Sequence, residues 1–261
     1  MHVGIPFYFL FFIFIIHMLR PYNKNGYIIR ITERAIVQMI LSGLEAYSVA
    51  HPNPRGKKVN KVETYGLLWG HEIRQTDNSV VYCIDAISIE TSAIRMPDTV
   101  RYVYEAVDLK KSIIQSFFPT YDLLGDFHTH PYNHYKTVLK HKQYYMSEGD
   151  ISDIENNGDY WIKNNYRLGI VFTISRMSKR PQSPKAKVIS QNTLQFDLGN
   201  YRLWLKAYAT YQDKEKHLRF TEHNDENVIL SCPALEGLNL ENIRFGKVSR
   251  KGNFRSDNGY I

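Results

Sequence analysis

The chain has 261 residues, 43% apolar, 23% charged and 13% aromatic, enough for one sizeable domain with extensions and a balance that excludes wholesale disorder. Its net charge is +7 and its pI about 9.2, with small basic clusters at Arg55–Lys61, Arg176–Lys187 and Arg244–Arg255. No zinc-finger spacing, RNA-binding motif or helix-turn-helix pattern accompanies that charge, so it reads as a solvated basic surface rather than a nucleic-acid interface.

Ile5–Leu19 comes first and is almost continuously apolar. It is short for a spanning helix and lacks the basic start and small-residue end of a secretory signal. Three readings stay open: a short membrane anchor with the body in the cytoplasm, a buried element of the fold, or sequence upstream of a true start at Met18. Thr32 to Ala50 predicts an amphipathic helix, with Ile36, Met39, Ile40 and Leu44 in the i, i+3, i+4 rhythm and Thr32 as its cap. His51–Lys61 is a loop of Pro, Gly and Lys. Val62–Gly70 predicts a strand running into a turn at Gly70–His71. Ser79–Glu90 predicts a second strand, paired with the first as a hairpin turning at Thr76, Asp77 and Asn78.

Pro97–Phe118 predicts a second helix with Val103, Val107, Leu109, Ile113 and Ile114 on its apolar side. Tyr121–His130 is a strand ended by Pro131, and Pro131–Met146 a loop or short helix. Ser147–Asn157 opens with capping chemistry and continues as a short helix. Tyr166–Ser175, Val188–Phe196 and Tyr201–Tyr211 are strands, with a basic loop at Arg176–Lys187. Beyond Gln212 the chain is polar, with weak strand patches at Asn227–Leu230 and Asn242–Phe245 and no order expected from about Lys247. The expected organisation is an apolar segment over 1–26, a main domain over 27–211 and an extension over 212–261. The order of elements predicts an α/β sandwich, a mixed, mostly antiparallel sheet flanked by helices. Two distant cysteines, Cys83 and Cys232, exclude a disulfide framework and a thiolate metal site, and fit a reducing cytoplasm. The 19 tyrosines form no repeat and carry no functional signal by themselves.

The chemistry concentrates around His128-Thr129-His130. Residues i and i+2 of a strand share a face, so both imidazoles can reach one metal ion. Asp150, at the start of the following helix, completes a two-histidine, one-carboxylate set that leaves one zinc position open. Taken separately, each piece has a bland alternative: two surface histidines before a proline, and a helix cap with an acid in its first turn.

The run Glu63-Thr64-Tyr65-Gly66-Leu67-Leu68-Trp69-Gly70, then His128-Thr129-His130-Pro131, then Ser147-Glu148-Gly149-Asp150, resembles the JAMM metalloprotease family, the catalytic MPN-plus or JAB domain. The resemblance spans about residues 30 to 210 and implies that family's cytidine-deaminase-like sandwich. It implies one Zn²⁺ on His128, His130 and Asp150. Glu63 would act as general base toward the attacking water, and Ser147 as donor to the oxyanion. Glu72 is the competing base, less favoured because it lies beyond the matched run. The implied activity is hydrolysis of the amide or isopeptide bond after the C-terminus of a ubiquitin-like protein, whose extended tail would add to a sheet edge. Similar bacterial proteins accompany ubiquitin-like, E1-like and E2-like proteins in conjugation or antiviral operons, which implies those partners.

Two features depart from the family pattern. Sixteen residues, 131–146, separate His130 from Ser147, a longer spacing than usual, and they include His134 and His141 as alternative ligands. Asp126 stands where a tryptophan is more common, and strand alternation puts it on the face of His128 and His130, where it could orient an imidazole. Other readings of the same scaffold are a metallopeptidase acting on a small peptide or sulfur-transfer substrate, a non-catalytic MPN scaffold, and a metal-dependent nuclease.

Overall fold

A computed structural model describes residues 26–52, 56–77, 79–161, 166–182, 186–212, 218–220, 227–236, 247–248 and 254–255. The apolar segment Ile5–Leu19 and the patch Asn242–Phe245 lie outside the described residues. The chain opens with β1 (Tyr27–Ile31), α1 (Glu33–Ser48), the short pair β2 (His51–Pro52) and β3 (Lys58–Val59), then β4 (Tyr65–Arg74) and β5 (Val80–Ile89). A small hairpin of β6 (Ile94–Arg95) and β7 (Val100–Arg101) leads into α2 (Tyr104–Phe117), β8 (Asp122–Tyr132), α3 (Tyr135–His141) and α4 (Glu148–Trp161). Next come β9 (Tyr166–Arg176), β10 (Ala186–Ser190), β11 (Thr193–Leu198), β12 (Tyr201–Gln212), β13 (Leu218–Phe220), β14 (Val228–Ser231) and the single turn α5 (Pro233–Glu236). Lys247–Val248 and Phe254–Arg255 pair as a final short ladder, β15 and β16.

The fold is mixed α/β. One large sheet runs β10-β11-β12-β9-β8-β4-β5-β1-β14, with β13 added to β12. Only β8–β9, β1–β5 and β1–β14 pair in parallel; the other neighbours are antiparallel. The sheet curls until its two ends meet. The Leu230 N–H of β14 donates to the Gln191 carbonyl at 2.8 Å, and Tyr27 stacks on Tyr211 at 6.2 Å.

Curling encloses one face of the sheet around α1. Thr32 caps that helix, its hydroxyl accepting from Ala35 N–H, and Ile36, Met39, Leu44 and Tyr47 pack on Ile29, Ile31, Leu68, Ile84, Phe172 and Ile174. Strand alternation sends the intervening residues to the other face. There α2 covers Tyr65, Leu67 and Trp69 through Val107, and α4 covers Met146, Val171 and Tyr208 through Ile154. Val228, Leu230, Cys232 and Leu235, beyond the main domain expected from the sequence, are buried in the α1 cluster.

Four sequence expectations change. Gly70–His71 is no turn: β4 runs through it to Arg74 with a register shift at Trp69/Gly70, and a Cβ on Gly70 would lie 1.8 Å from the Cys83 carbonyl oxygen. Pro97–Val103 is not helical. Met96 N–H bonds the Thr99 carbonyl and closes the β6–β7 hairpin, so the helix starts at Tyr104, and Leu109 and Ile113 on it are exposed. Pro131 does not end its strand, because parallel pairing with β9 continues through Pro131 and Tyr132. Val188–Phe196 is two strands, broken where Asn192 turns its side-chain amide to the Ala207 carbonyl. Among the described residues no helix is long and apolar enough to cross a membrane.

Candidate metal centre

The C-terminal half of β8 carries His128 and His130, held between β4, where Tyr65 pairs with His128, and β9, where Thr173 pairs with His130. The register there depends on Gly125: a Cβ at that position would lie 1.8 Å from the Leu168 carbonyl oxygen of β9. Both imidazoles leave the enclosed core and turn toward α4. Their Nε2 atoms approach to 3.0 Å; His128 Nε2 lies 3.2 Å from Asp150 Oδ1 and His130 Nε2 lies 3.1 Å from Asp150 Oδ2.

Asp150 reaches them because of how α4 begins. Ser147 accepts the Asp150 N–H on its hydroxyl oxygen at 3.2 Å, and Asp150 Oδ2 accepts the Ser147 N–H at 2.6 Å. This is a reciprocal capping box, with an aspartate as the third helical residue. The helix cap and the candidate ligand are therefore the same side chain, and the bland reading of Ser147–Asp150 holds together with the functional one.

The electrostatics are compatible with a bound cation. Burial alone would lower the proton affinity of His128, but Asp150, Glu63 and Asp126 outweigh it and push its pKa up to about 9. Burial holds His130 down, helped by His128 beside it. Burial tends to raise Asp150, yet the two histidines keep its carboxyl far below the usual carboxylate range. Two imidazole nitrogens 3.0 Å apart cannot both carry protons facing each other, so without a metal at most one of the two Nε2 atoms is protonated. A tetrahedral Zn²⁺ with bonds of about 2.0–2.1 Å separates its ligand atoms by roughly 3.3 Å. The Nε2–Nε2 separation, and that of each Nε2 from its nearer Asp150 oxygen (Oδ1 for His128, Oδ2 for His130), lie within a few tenths of an ångström of that. Among the described residues, these three form the one group of His, Cys and acidic side chains close enough to hold a metal.

Glu63 lies two residues before the start of β4 and lines the same cleft, a cavity of about 410 Å³ that also takes in Tyr65, Tyr102, His128, Ser147 and Asp150. Its carboxyl is buried, and desolvation raises its pKa to about 8 against the pull of His128. Its backbone is fixed from both sides. Glu63 N–H donates to the Met96 carbonyl of the hairpin at 2.8 Å, and the next residue, Thr64, is clamped to Thr129, which lies between the two histidines. Thr64 N–H donates to Thr129 Oγ1 at 2.8 Å, and Thr129 N–H donates to the Thr64 carbonyl at 3.0 Å. Glu72 sits seven residues beyond Tyr65 on β4, accepts the Tyr166 hydroxyl at 2.6 Å, and lies outside the cleft lining.

Ser147 is exposed at the cleft, and the bond it accepts from Asp150 leaves its own proton available for donation. Asp126 also faces the cleft but is paired with Arg167, whose Nε donates to Asp126 Oδ2 at 2.8 Å and whose second nitrogen reaches the same oxygen. It therefore acts on His128 through its charge, with Arg167 as its hydrogen-bonding partner. His134, at the cap of α3, and His141, in its last turn, are exposed and stand apart from the cluster. Sequence reasoning missed Thr64, Thr129 and Met96 as positioning residues. The alternation that puts two histidines on one face puts Thr129 on the other, which was the available signal.

Compared with known proteins, the chain matches no protein-family model and no curated protein sequence.

Proposed function

We propose that this chain is a zinc-dependent peptidase of the JAMM type, with that family's MPN fold. Its substrate on this reading is the amide or isopeptide bond after the C-terminus of a ubiquitin-like protein. The observation that carries the reading is the convergence of three sequence-distant segments: Glu63, the His128/His130 pair, and Ser147 with Asp150, of which Glu63, His128, Ser147 and Asp150 line one cleft. His128, His130 and Asp150 would hold the ion, which supplies Lewis acidity and lowers the pKa of water toward neutrality.

The chain's own residues account for the rest. Glu63, poised with a raised proton affinity in a desolvated wall, takes a proton from the attacking water and returns it to the leaving amine. Ser147 donates its hydroxyl proton to the oxygen that gains charge as the carbonyl becomes tetrahedral. Tyr65 and Tyr102, stacked at 5.1 Å, line the cleft and would border the path of an extended chain past the site. E1-like and E2-like proteins of the same conjugation system are the expected companions. A reducing cytoplasm suits the two free, buried cysteines.

The test is cleavage of a ubiquitin-like protein fused through its C-terminus to a reporter, with zinc-replete wild type and Glu63→Ala compared. The reading requires cleavage by wild type, loss with chelator, and loss in Glu63→Ala with zinc content kept at about one per chain. Equal cleavage by the two proteins overturns the assignment of Glu63. Less than stoichiometric zinc in wild type favours a non-catalytic scaffold.

A further inference from the structure

The stretch that departs most from the family spacing, residues 131–146, ends directly on Ser147, so whatever holds its last residues sets where the capping box and Asp150 stand. Three residues of β12 do this. Trp204, Lys206 and Tyr208 alternate onto the α4 side of the sheet and meet three consecutive residues, Tyr144, Tyr145 and Met146. Tyr144 stacks on Trp204 with ring centroids 6.3 Å apart and planes within 9°. The Lys206 ammonium lies 4.1 Å from the Tyr145 ring centroid and 5.4 Å from that of Tyr208. The Tyr208 hydroxyl oxygen accepts the Met146 N–H at 2.9 Å.

Lys206 is fully buried. A lysine is seldom placed there unless its charge is well met. Here Nζ donates to Asn192 Oδ1 at 3.1 Å and to Thr193 Oγ1 at 3.2 Å, while the two aromatic faces cover its other side. Asn192 is itself tied to Ala207 through its side-chain amide at 2.9 Å. The lysine thus joins the β10–β11 turn, the middle of β12 and the end of the insertion. Gly169 of β9 leaves room beside Met146, whose Cε would lie 3.3 Å from a Cβ there.

We propose that Trp204, Lys206 and Tyr208 are positioning residues for the metal centre, clasping Tyr144–Met146 so that Ser147 caps α4 and Asp150 meets His128 and His130. None of the three β12 residues touches the ligand cluster. The inference rests on reading His128, His130 and Asp150 as a metal site. Two of the ligands belong to β8 and one to α4, and the clasp is the nearest tether of α4 to the sheet on its N-terminal side. Loosening it lets Asp150 drift from the histidines while leaving the curled core untouched, because that core lies on the opposite face of β12, at Leu203, Leu205, Ala207 and Ala209.

The test is zinc affinity of the full chain, measured by competition with a chromophoric chelator, for wild type, Tyr208→Phe and Lys206→Met, with melting of each metal-free protein followed in parallel. Supports beside a metal site weaken binding by about 10–100-fold when removed, and that is the loss expected for both variants. Phe196→Leu, in the opposite core, controls for lost stability: it should lower the melting temperature and leave zinc affinity unchanged. Should either β12 variant fail to fold, Tyr145→Leu removes the ring over Lys206 without touching the sheet and should show the same loss. Affinity within twofold of wild type in the folded variants, or an equal loss in Phe196→Leu, overturns the clasp. Wild type that takes up no zinc overturns the metal site and the clasp with it, whereas zinc-binding wild type with unaffected variants overturns the clasp alone.

Discussion

The two walls of the cleft are built differently. On the metal wall, His128 and His130 sit on a strand with hydrogen-bonded neighbours on both sides, and Asp150 is locked by its own helix cap. On the opposite wall, β6 and β7 have two residues each, held to the body by Arg95 on the Glu90 carbonyl, the Met96–Glu63 bond and the Tyr102–Tyr65 stack. Above that hairpin, α2 buries only Val107 and leaves Leu109 and Phe117 exposed, where α1 buries Ile36, Met39, Leu44 and Tyr47 and exposes Val37 and Leu41. The wall that holds the charged cluster is braced by sheet and cap together, and the wall that on the proposed reading faces a substrate is tethered at few points. Glu63 belongs to both, fixed by Met96 on one side and by Thr64–Thr129 on the other.

That contrast can be broken at graded cost. His128→Ala removes a ligand from the braced wall and should abolish both zinc binding and hydrolysis, as read by metal content and cleavage. Glu63→Gln should keep its zinc and lose about 10²–10⁴-fold in kcat, the range for a general base. Ser147→Ala should keep most of the zinc and lose about 10²-fold in kcat, with a helix cap worth about 1 kcal/mol lost from stability as well. Retention of kcat in Ser147→Ala would leave the hydroxyl with the capping role alone.

Glu63 also makes the metal-free protein pH-sensitive. Burial raises its pKa in the folded state to about 8, above the value of about 4.3 expected for an unfolded glutamate. The stability tied to its proton is thus fully present below about pH 4 and is lost as pH rises through 8. Metal-free Glu63→Gln should therefore gain on wild type across that window by about 2–4 kcal/mol, measured by denaturant melts at pH 5 and pH 9. A gap that shrinks with rising pH would contradict the buried, protonated Glu63. On the loose wall the smallest effect is expected. Tyr102→Ala removes an aromatic contact worth about 0.5–1.5 kcal/mol and should raise KM severalfold while zinc content and kcat stay near wild type.

Much of this was legible in the sequence. The period of Ile36, Met39, Ile40 and Leu44 and the cap at Thr32 foretold α1, because a helix buried on one face needs that spacing whatever it packs against. The histidine pair on one strand face was likewise local, since alternation follows from backbone geometry. The helix expected from Pro97 failed because a proline at a first helical turn and a proline in a hairpin turn look alike along the chain. The apolar residues Leu109 and Ile113 promised burial, but nothing among the described residues covers them. The tyrosines seemed mere bias; in three dimensions Tyr27, Tyr82 and Tyr166 gather in the enclosed core, while Tyr65 and Tyr102 form a cleft wall.

By itself, then, the sequence determined which residues could be ligands and on which face of each element they stand, because donor chemistry and strand and helix periods are local properties. Whether those residues meet was decided only by tertiary structure. Bringing Asp150 to within 3.2 Å of both histidines takes the parallel β8–β9 register, the cap of α4 and the β12 residues beneath Tyr144–Met146. The cap is local, but the β8–β9 register and the β12 contacts join segments tens of residues apart, and no local period encodes the distance between them.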